Sequence, residues 1–575
     1  MTVDTMTNSA RPQSKIQSTL WTAEGLVYAL IGLAAAALRL LNLAALPLTP
    51  SEAATAWAAW LDAAARTAPD VAAPVSALLY TLHHLTFTLF GGGDVLARLF
   101  PALVGLGMVA LPWLLRHRLG RVPALIAALL LAADPWLITA SRQADSTILS
   151  LGLGLLLLVG LMRLAEGVKW SPILAVAAGL FLISGPGVWG LLPVLLIPGL
   201  LFFQKEKNSL SSLWIRQNLV LLVGSAILGA TVWLLVPSGL SAVGTSLGAW
   251  LGHFGDQGYP LAWAGLRLLR DQLWLLIFGL GGLALLWRDE DRSWAILLTA
   301  WTVWAAVLLL LPGRTPADLP MLSLPLLLAA PRLMAWPWVT TWRATDRQEG
   351  MLMGGILAAI LVTGVLWFVQ YANTNAPEPG LNALLSLLLA GVLILFFGWW
   401  ANWPMAGRVT VILGTAMLLY FGVATGWQIS TRLDPPGSLG YARTVPDLDA
   451  RQLAVDIRTL SAQRVGDQFS IPIQVQVNPA PDPILGWYLR EMNDLRWVLA
   501  PEVIQAYDRS PLVITPTQAP PTLPDGYIGS TYAIRQSWLP SDLPDTQARL
   551  RWLLYQKAPA DRTGESVDLW VALTQ

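Results

Sequence analysis

Thirteen long apolar stretches, followed by a polar, proline-rich segment at 429–575, restrict this chain to one architecture: a bundle of membrane-crossing helices that ends in a polar domain. The stretches are 24–46, 97–115, 122–140, 146–164, 172–187, 188–203, 218–236, 273–287, 294–311, 320–335, 351–371, 382–400 and 409–428. Most reach the ~17–25 residues a helix needs to cross ~30 Å of hydrocarbon. Only Ser184-Gly185-Pro186-Gly187 divides 172–203, which also fits a re-entrant pair. A composition of 55% hydrophobic and 12% charged residues excludes a soluble enzyme.

Basic residues fix the expected orientation. With the N-terminus inside, the tail and inward loops carry sixteen Lys and Arg, among them Arg116, Arg118, Arg121, Lys205, Lys207 and Arg408, against five outward: Arg66, Arg142, Arg267, Arg270 and Arg314. An odd number of spans then puts the last domain outside. The reading is a cytoplasmic tail at 1–20, a transmembrane domain at 21–428, a linker at 429–446 and an extracytoplasmic α/β domain at 447–575, in the plasma membrane. The first 20 residues are too polar for a signal peptide. Without cysteine, the outer domain has no disulfide and must be held by its core. A net charge of +1 gives no reason to invoke nucleic acid.

The outward segment 47–96 reads as more than a loop. Ser51 is placed to cap a helix in which Ala54, Trp57, Ala58 and Leu61 recur at helical spacing, and 74–90 is read as lying along the outer surface. Ionisable groups gather at the same membrane edge: Glu52, Arg142 with Asp145, and Arg314 with Asp318. Asp134 adds a carboxylate inside its span, costing ~2.5 kcal/mol or more unless paired or hydrated. Together they suggest one shared polar cavity.

His83 and His84 point in different directions on a helix and make a poor metal site. Asp289-Glu290-Asp291 reads as a solvated turn, and many of the 29 tryptophans stand at span ends, where aromatic belts are expected. In the last domain, helices are expected at 447–463, 484–493 and 545–556. Strands are expected at 469–477, 495–499, 512–515 and 569–573.

These residues also carry a resemblance. Leu38-Arg39-Leu40, Leu46-Pro47-Leu48, Ser51-Glu52-Ala53, Leu89-Phe90-Gly91, Arg98-Leu99-Phe100-Pro101, Arg118-Leu119-Gly120, Ser141-Arg142-Gln143-Ala144-Asp145 and Arg314 before Leu319-Pro320 follow one another as in the GT-C glycosyltransferases, of the protein mannosyltransferase and aminoarabinose transferase kind. Asp482-Pro483-Ile484-Leu485-Gly486-Trp487-Tyr488-Leu489-Arg490 is similar to a motif in the outward domains of a GT-C-like subfamily of archaea and Chloroflexi-type bacteria.

The resemblance implies transfer of a sugar from a polyprenyl-phosphate carrier to a glycan, lipid or protein acceptor on the outer face. A carboxylate, Glu52, Asp145 or Asp134, would take the acceptor's proton, and arginines, Arg142 and Arg314 with Arg39 and Arg98, would hold the carrier phosphate. No cofactor is firmly implied beyond a divalent cation as an option. The family usually has Asp-Glu where this chain has Ser51-Glu52, so the usual base position is serine. Either Glu52 assumes that role, or the chain is a silent carrier-binding protein or assembly subunit. A secondary transporter is disfavoured, because the sequence shows no internal repeat.

The topology is directly testable in a chain free of cysteine. A single cysteine introduced at Lys207 should resist an impermeant thiol reagent on intact cells, while one placed in 447–575 should react; labelling at 207 from outside would invert the assignment.

Overall fold

The computed structural model describes residues 23–68, 71, 73–166, 170–206, 212–289, 292–342, 344–431, 443–477, 480–499, 511–518, 526–556 and 563–573. The tail 1–20, Lys207, Glu290 and most of the linker lie outside these residues.

Each of the thirteen apolar stretches contains helix, although 24–46, 172–187 and 218–236 run beyond their helices into turns. The membrane half runs α1 (Ala23–Leu40), α2 (Pro50–Ala63), α3 (Ala77–Phe90), α4 (Asp94–Leu114), α5 (Arg121–Ala133), α6 (Pro135–Ser141), α7 (Thr147–Ala165), α8 (Ser171–Leu182), α9 (Gly187–Glu206), α10 (Ser212–Ala230), α11 (Ser241–Leu251), α12 (Leu261–Asp271), α13 (Leu273–Leu286), α14 (Ser293–Leu310), α15 (Asp318–Met334), α16 (Ala344–Thr374), α17 (Pro377–Trp400) and α18 (Trp403–Thr431). Eight of these are long and apolar enough to cross a membrane, ten if the bent pairs α5–α6 and α12–α13 each count as one span. The expected thirteen is therefore finer than length supports: α8, α10 and the described apolar part of α9 are shorter apolar helices. This is a multi-pass membrane protein.

Pro135 explains the first bend. It opens α6 without needing an N–H, Asp134 caps that helix by accepting from Leu137 N at 2.8 Å, and α5 and α6 meet at 57°. Gly185, at φ +133, lets the chain turn between α8 and α9, and a Cβ there would fall 2.5 Å from Ser146 Oγ.

The segment 47–96 forms two packed helices, α2 and α3. Ser51 does not cap the first one. Thr49 does, accepting from Glu52 N, while the Glu52 carboxylate accepts from Thr49 N in a reciprocal box with Pro50 in the first turn. The proline sets the helix start two residues earlier than the Ser51 signal suggests.

Beyond the membrane half, β1 (Thr444–Pro446), β2 (Ile473–Val477), β3 (Leu495–Leu499), β4 (Leu512–Pro516), β5 (Tyr527–Ser537) and β6 (Thr563–Ala572) form one sheet in the order β1-β5-β6-β4-β2-β3. Strand β2 runs parallel to β3 and β4; the other pairs are antiparallel. Helices α19 (Asp449–Val465), α20 (Pro483–Tyr488) and α21 (Thr546–Tyr555) accompany it. Strand β5 was not expected from sequence, and β1 starts inside the expected linker.

The domain is not held by a core of its own. Leu48, Ala53, Ala56, Trp57 and Phe87 of the membrane half share one buried cluster with Ile457, Ile473, Ile484, Trp487 and Leu512 of the domain. Trp57 packs on Gly486, where a Cβ would lie 2.6 Å from the indole, which leaves room for glycine only. The motif at 482–490 is the docking element: Asp94 accepts from Trp487 Nε1 at 2.7 Å and Tyr488 Oη at 2.9 Å, and pairs with Arg451 at 2.6 Å. Tyr488 Oη also accepts from Leu48 N, and Arg490 donates to Gly92 O. On another flank Arg551 donates to Ala372 and Asn373 carbonyls at the end of α16.

Replacing Asp94 with Ala leaves Arg451, Trp487 and Tyr488 without their shared acceptor. It should cost about 2–4 kcal/mol and expose the linker to limited proteolysis in detergent. Unchanged melting and cleavage would show that Asp94 does not hold the domain.

Candidate functional site

Glu52 is the best-determined side chain of the site. Its Oε1 accepts from Arg98 Nε at 2.8 Å and Ala144 N at 2.6 Å; its Oε2 accepts from Arg98 Nη2 and Thr49 N, both at 2.8 Å. Those are the four acceptor positions a carboxylate has. Burial alone would raise its pKa, but the Arg98 charge and these bonds outweigh it and hold the group below its ordinary range. Arg98 completes the joint by donating to Leu43, Leu46 and Pro47 carbonyls. Glu52 thus arrives with no free lone pair for an acceptor's proton.

The other expected phosphate ligands are engaged in the same manner. Arg142 donates to the Leu38, Arg39, Leu41 and Asn42 carbonyls at the end of α1, and Arg39 to Leu131 and Ala132 at the end of α5. Arg314 donates to the Leu309 and Leu310 carbonyls at the end of α14 and to the Tyr259 carbonyl ahead of α12. Each guanidinium neutralises a helix C-terminus, where unpaired carbonyls and the helix dipole favour a cation. None of the four arginines lines the cavity described next.

That cavity, of about 600 Å³, opens between α2, α6, α7, α15 and the start of the C-terminal domain. Glu52, Asp145 and Asp318 line it; Asp134 does not, and borders a second hollow on the other side of α6, bonded to Gln272 Nε2 at 2.6 Å. Asp145 is the available carboxylate. Its Oδ1 accepts from Thr147 N at 3.0 Å, Thr147 Oγ1 at 3.2 Å and Ser146 Oγ, while Oδ2 has no bond among the described residues. Burial first, and the Glu52 charge second, raise its pKa. A raised carboxylate pKa suits proton transfer near neutrality.

Two cationic groups that sequence reasoning missed also face this space. His253 points Nδ1 at Trp250 O, 2.8 Å away, and Nε2 at Asp318, 3.1 Å away. Both neighbours are acceptors, so the doubly protonated ring satisfies both, and the Asp318 bond raises the histidine pKa against the effect of burial. Arg443, between linker and β1, is exposed; its backbone N donates to Tyr259 Oη at 3.0 Å and its guanidinium lies 5.6 Å from the Tyr259 ring. That guanidinium makes no ion pair or side-chain hydrogen bond among the described residues. The only trace of this group in the sequence is the polar, glycine-rich break at 252–260 between two apolar helices.

Among the described residues no three His, Asp or Glu side chains converge. His83 Nε2 bonds Ala97 O, and Asp289 pairs with Arg332.

The arrangement, a helical membrane half whose first long loop roofs a polar cavity below a docked mixed-sheet domain, is shared in fold with solved structures. One solved structure similar in fold is ArnT from Cupriavidus metallidurans: its structure bound to undecaprenyl phosphate superposes with TM-score 0.52 at 14% identity, covering 95% of this chain and 98% of that one. Its apo structure gives 0.51 at 16%, covering 86% and 93%. The Archaeoglobus fulgidus oligosaccharyltransferase, tethered with an acceptor peptide, gives 0.44 at 12%, covering 84% and 64%. No family model and no curated protein matches the sequence. At these identities the likeness is one of fold.

Glu52→Gln tests the joint. It leaves Arg98 buried without its counter-charge and should cost about 3–5 kcal/mol at neutral pH, whereas Glu52→Gln with Arg98→Met should cost less. Because the folded pKa is lowered, the wild-type contribution is complete above the ordinary glutamate pKa and disappears as pH falls through the folded value, so the two melting curves should converge in acid. Equal melting of wild type and Glu52→Gln at pH 7 would contradict this.

Proposed function

We propose that this chain is a membrane glycosyltransferase that moves a sugar from a polyprenyl-phosphate carrier to an acceptor at the outer face. The supporting observation is the pairing, in one cavity at the membrane edge, of a carboxylate oxygen with no partner, on Asp145, and an unpaired guanidinium, on Arg443. The ArnT structure with undecaprenyl phosphate has the same fold over nearly the whole chain.

In this reading Asp145 takes the proton from the acceptor's nucleophilic group as that group bonds the anomeric carbon. The bond from that carbon to the phosphate oxygen breaks, and the carrier phosphate leaves with the electron pair. Arg443 neutralises it through paired charge-assisted bonds, with protonated His253 adding to the field. Glu52 is a positioning residue: its bond to Ala144 N fixes the loop that presents Asp145. The arginines at positions 39, 98, 142 and 314 tie together the chain segments around the cavity without lining it.

Ser51 favours a second reading. It lines the cavity where the resembling family carries its aspartate, with its hydroxyl 3.3 Å from Thr49 Oγ1. A protein that binds the carrier without transferring its sugar would have this serine.

Transfer from a radiolabelled polyprenyl-phosphate sugar to membrane acceptors, run beside direct carrier binding, separates the two. Asp145→Asn should lower turnover at least ~100-fold and keep carrier binding. Arg443→Ala should weaken carrier binding about tenfold or more before it affects turnover. Full activity in Asp145→Asn removes Asp145 as the base. If wild type binds carrier and transfers nothing, while Ser51→Asp restores transfer, the silent reading holds.

A further inference from the structure

On the far side of α6 from the reaction cavity lies a second hollow of about 500 Å³, within the range of small-ligand sites. Its walls are apolar and come from two sources: Val365 and Phe368 of α16 and Phe421 of α18, which belong to membrane-crossing helices, and Leu550, Leu553 and Leu554 of α21, which belong to the C-terminal domain. A groove floored by spans and roofed by a polar domain lies at the depth where lipid head groups meet hydrocarbon.

The charges at its rim are unequal in their commitments. Asp134 accepts from Leu137 N and Gln272 Nε2. Asp271 accepts from Trp136 Nε1 at 3.0 Å and pairs with Arg267 at 3.3 Å. Arg270, in the last turn of α12, makes no hydrogen bond or ion pair among the described residues, and its Nε is buried without a partner. Among the described residues the rim therefore offers one uncommitted cation, while both Asp134 oxygens are bonded and the Asp271 side chain is fully buried beside Arg267, out of reach of an ammonium head. A helix that ends at the head-group level is a usual place for an arginine to meet a phosphate.

We propose that this groove binds an anionic glycerophospholipid of the surrounding bilayer, with one acyl chain under α21 and its phosphate on Arg270. The occupant is distinct from a sugar carrier. A head group at Arg270 is separated from Asp145 by α6, whose Trp136 lines the reaction cavity on one face and donates to the rim on the other. A lipid wedged between α16, α18 and α21 bridges the membrane half and the domain. It should stabilise their contact whether or not the chain is a transferase.

The test uses the full chain purified in an uncharged detergent and given dioleoyl phosphatidylglycerol or dioleoyl phosphatidylcholine, with retained lipid counted by native mass spectrometry and melting followed in parallel. Wild type should retain one phosphatidylglycerol, melt at a higher temperature with it, and retain phosphatidylcholine about tenfold less. Arg270→Gln should lower phosphatidylglycerol retention about tenfold with unchanged melting in detergent alone. Leu553→Trp, which fills the groove, should abolish retention while undecaprenyl phosphate still binds. Equal retention of the two lipids, or full retention in Arg270→Gln, overturns the proposal. Competitive displacement of phosphatidylglycerol by undecaprenyl phosphate also overturns it, by assigning the groove to the carrier.

Discussion

The buried pair of Glu52 and Arg98 is the joint on which the rest of the site is built. Taking both charges out of water is expensive, so the pair persists only because every remaining hydrogen-bonding position is filled. The consequence is geometric. Four bonds to one carboxylate and three carbonyls on one guanidinium bring the end of α1, the start of α2, the face of α4 and the loop before α7 to a single point. The cavity wall is as rigid as that point, and the orientation of Asp145 follows from it.

The same economy governs the other charged side chains near the membrane edge. A chain that turns back at the head-group level exposes helix C-termini in a region with little water, and each leaves carbonyls that need donors. Arginine reaches several at once. Arg39, Arg142 and Arg314 look in the sequence like cations poised for a phosphate, and in the structure they complete three helix ends. Their recurrence at turns of the chain reflects this service to the backbone.

What the sequence made legible follows from which interactions are local. Apolar length is local, and each of the thirteen stretches contains helix; which helices span depends on tilt and burial, which length alone does not decide. The start of α2 was misplaced by two residues because Ser51 and Thr49 are both good caps and only the position of Pro50 separates them. Asp145 was legible as a carboxylate between two apolar stretches. Its freedom was not, because that depends on Thr147 and Ser146 crowding one oxygen and leaving the other. His253, Asp318 and Arg443 come from three separate regions of the chain, and no spacing rule joins them. Strand β5 escaped notice because its polar and small residues, from Tyr527 to Ser537, lack the apolar alternation that marks a half-buried strand.

The domain that shares its core with α2 and α3 also imposes an order of assembly. Tyr488 meets Leu48 across 440 residues of chain, and Trp487 meets Asp94 across 393. The helices that complete the domain's interior are made some four hundred residues before their partners and must wait, with Trp57 and Phe87 uncovered, until the membrane helices between them have been inserted. Contacts of such long range form late and slowly. For that interval the loop presents an apolar surface to the water, and the segment that covers it is made only after the bundle it closes.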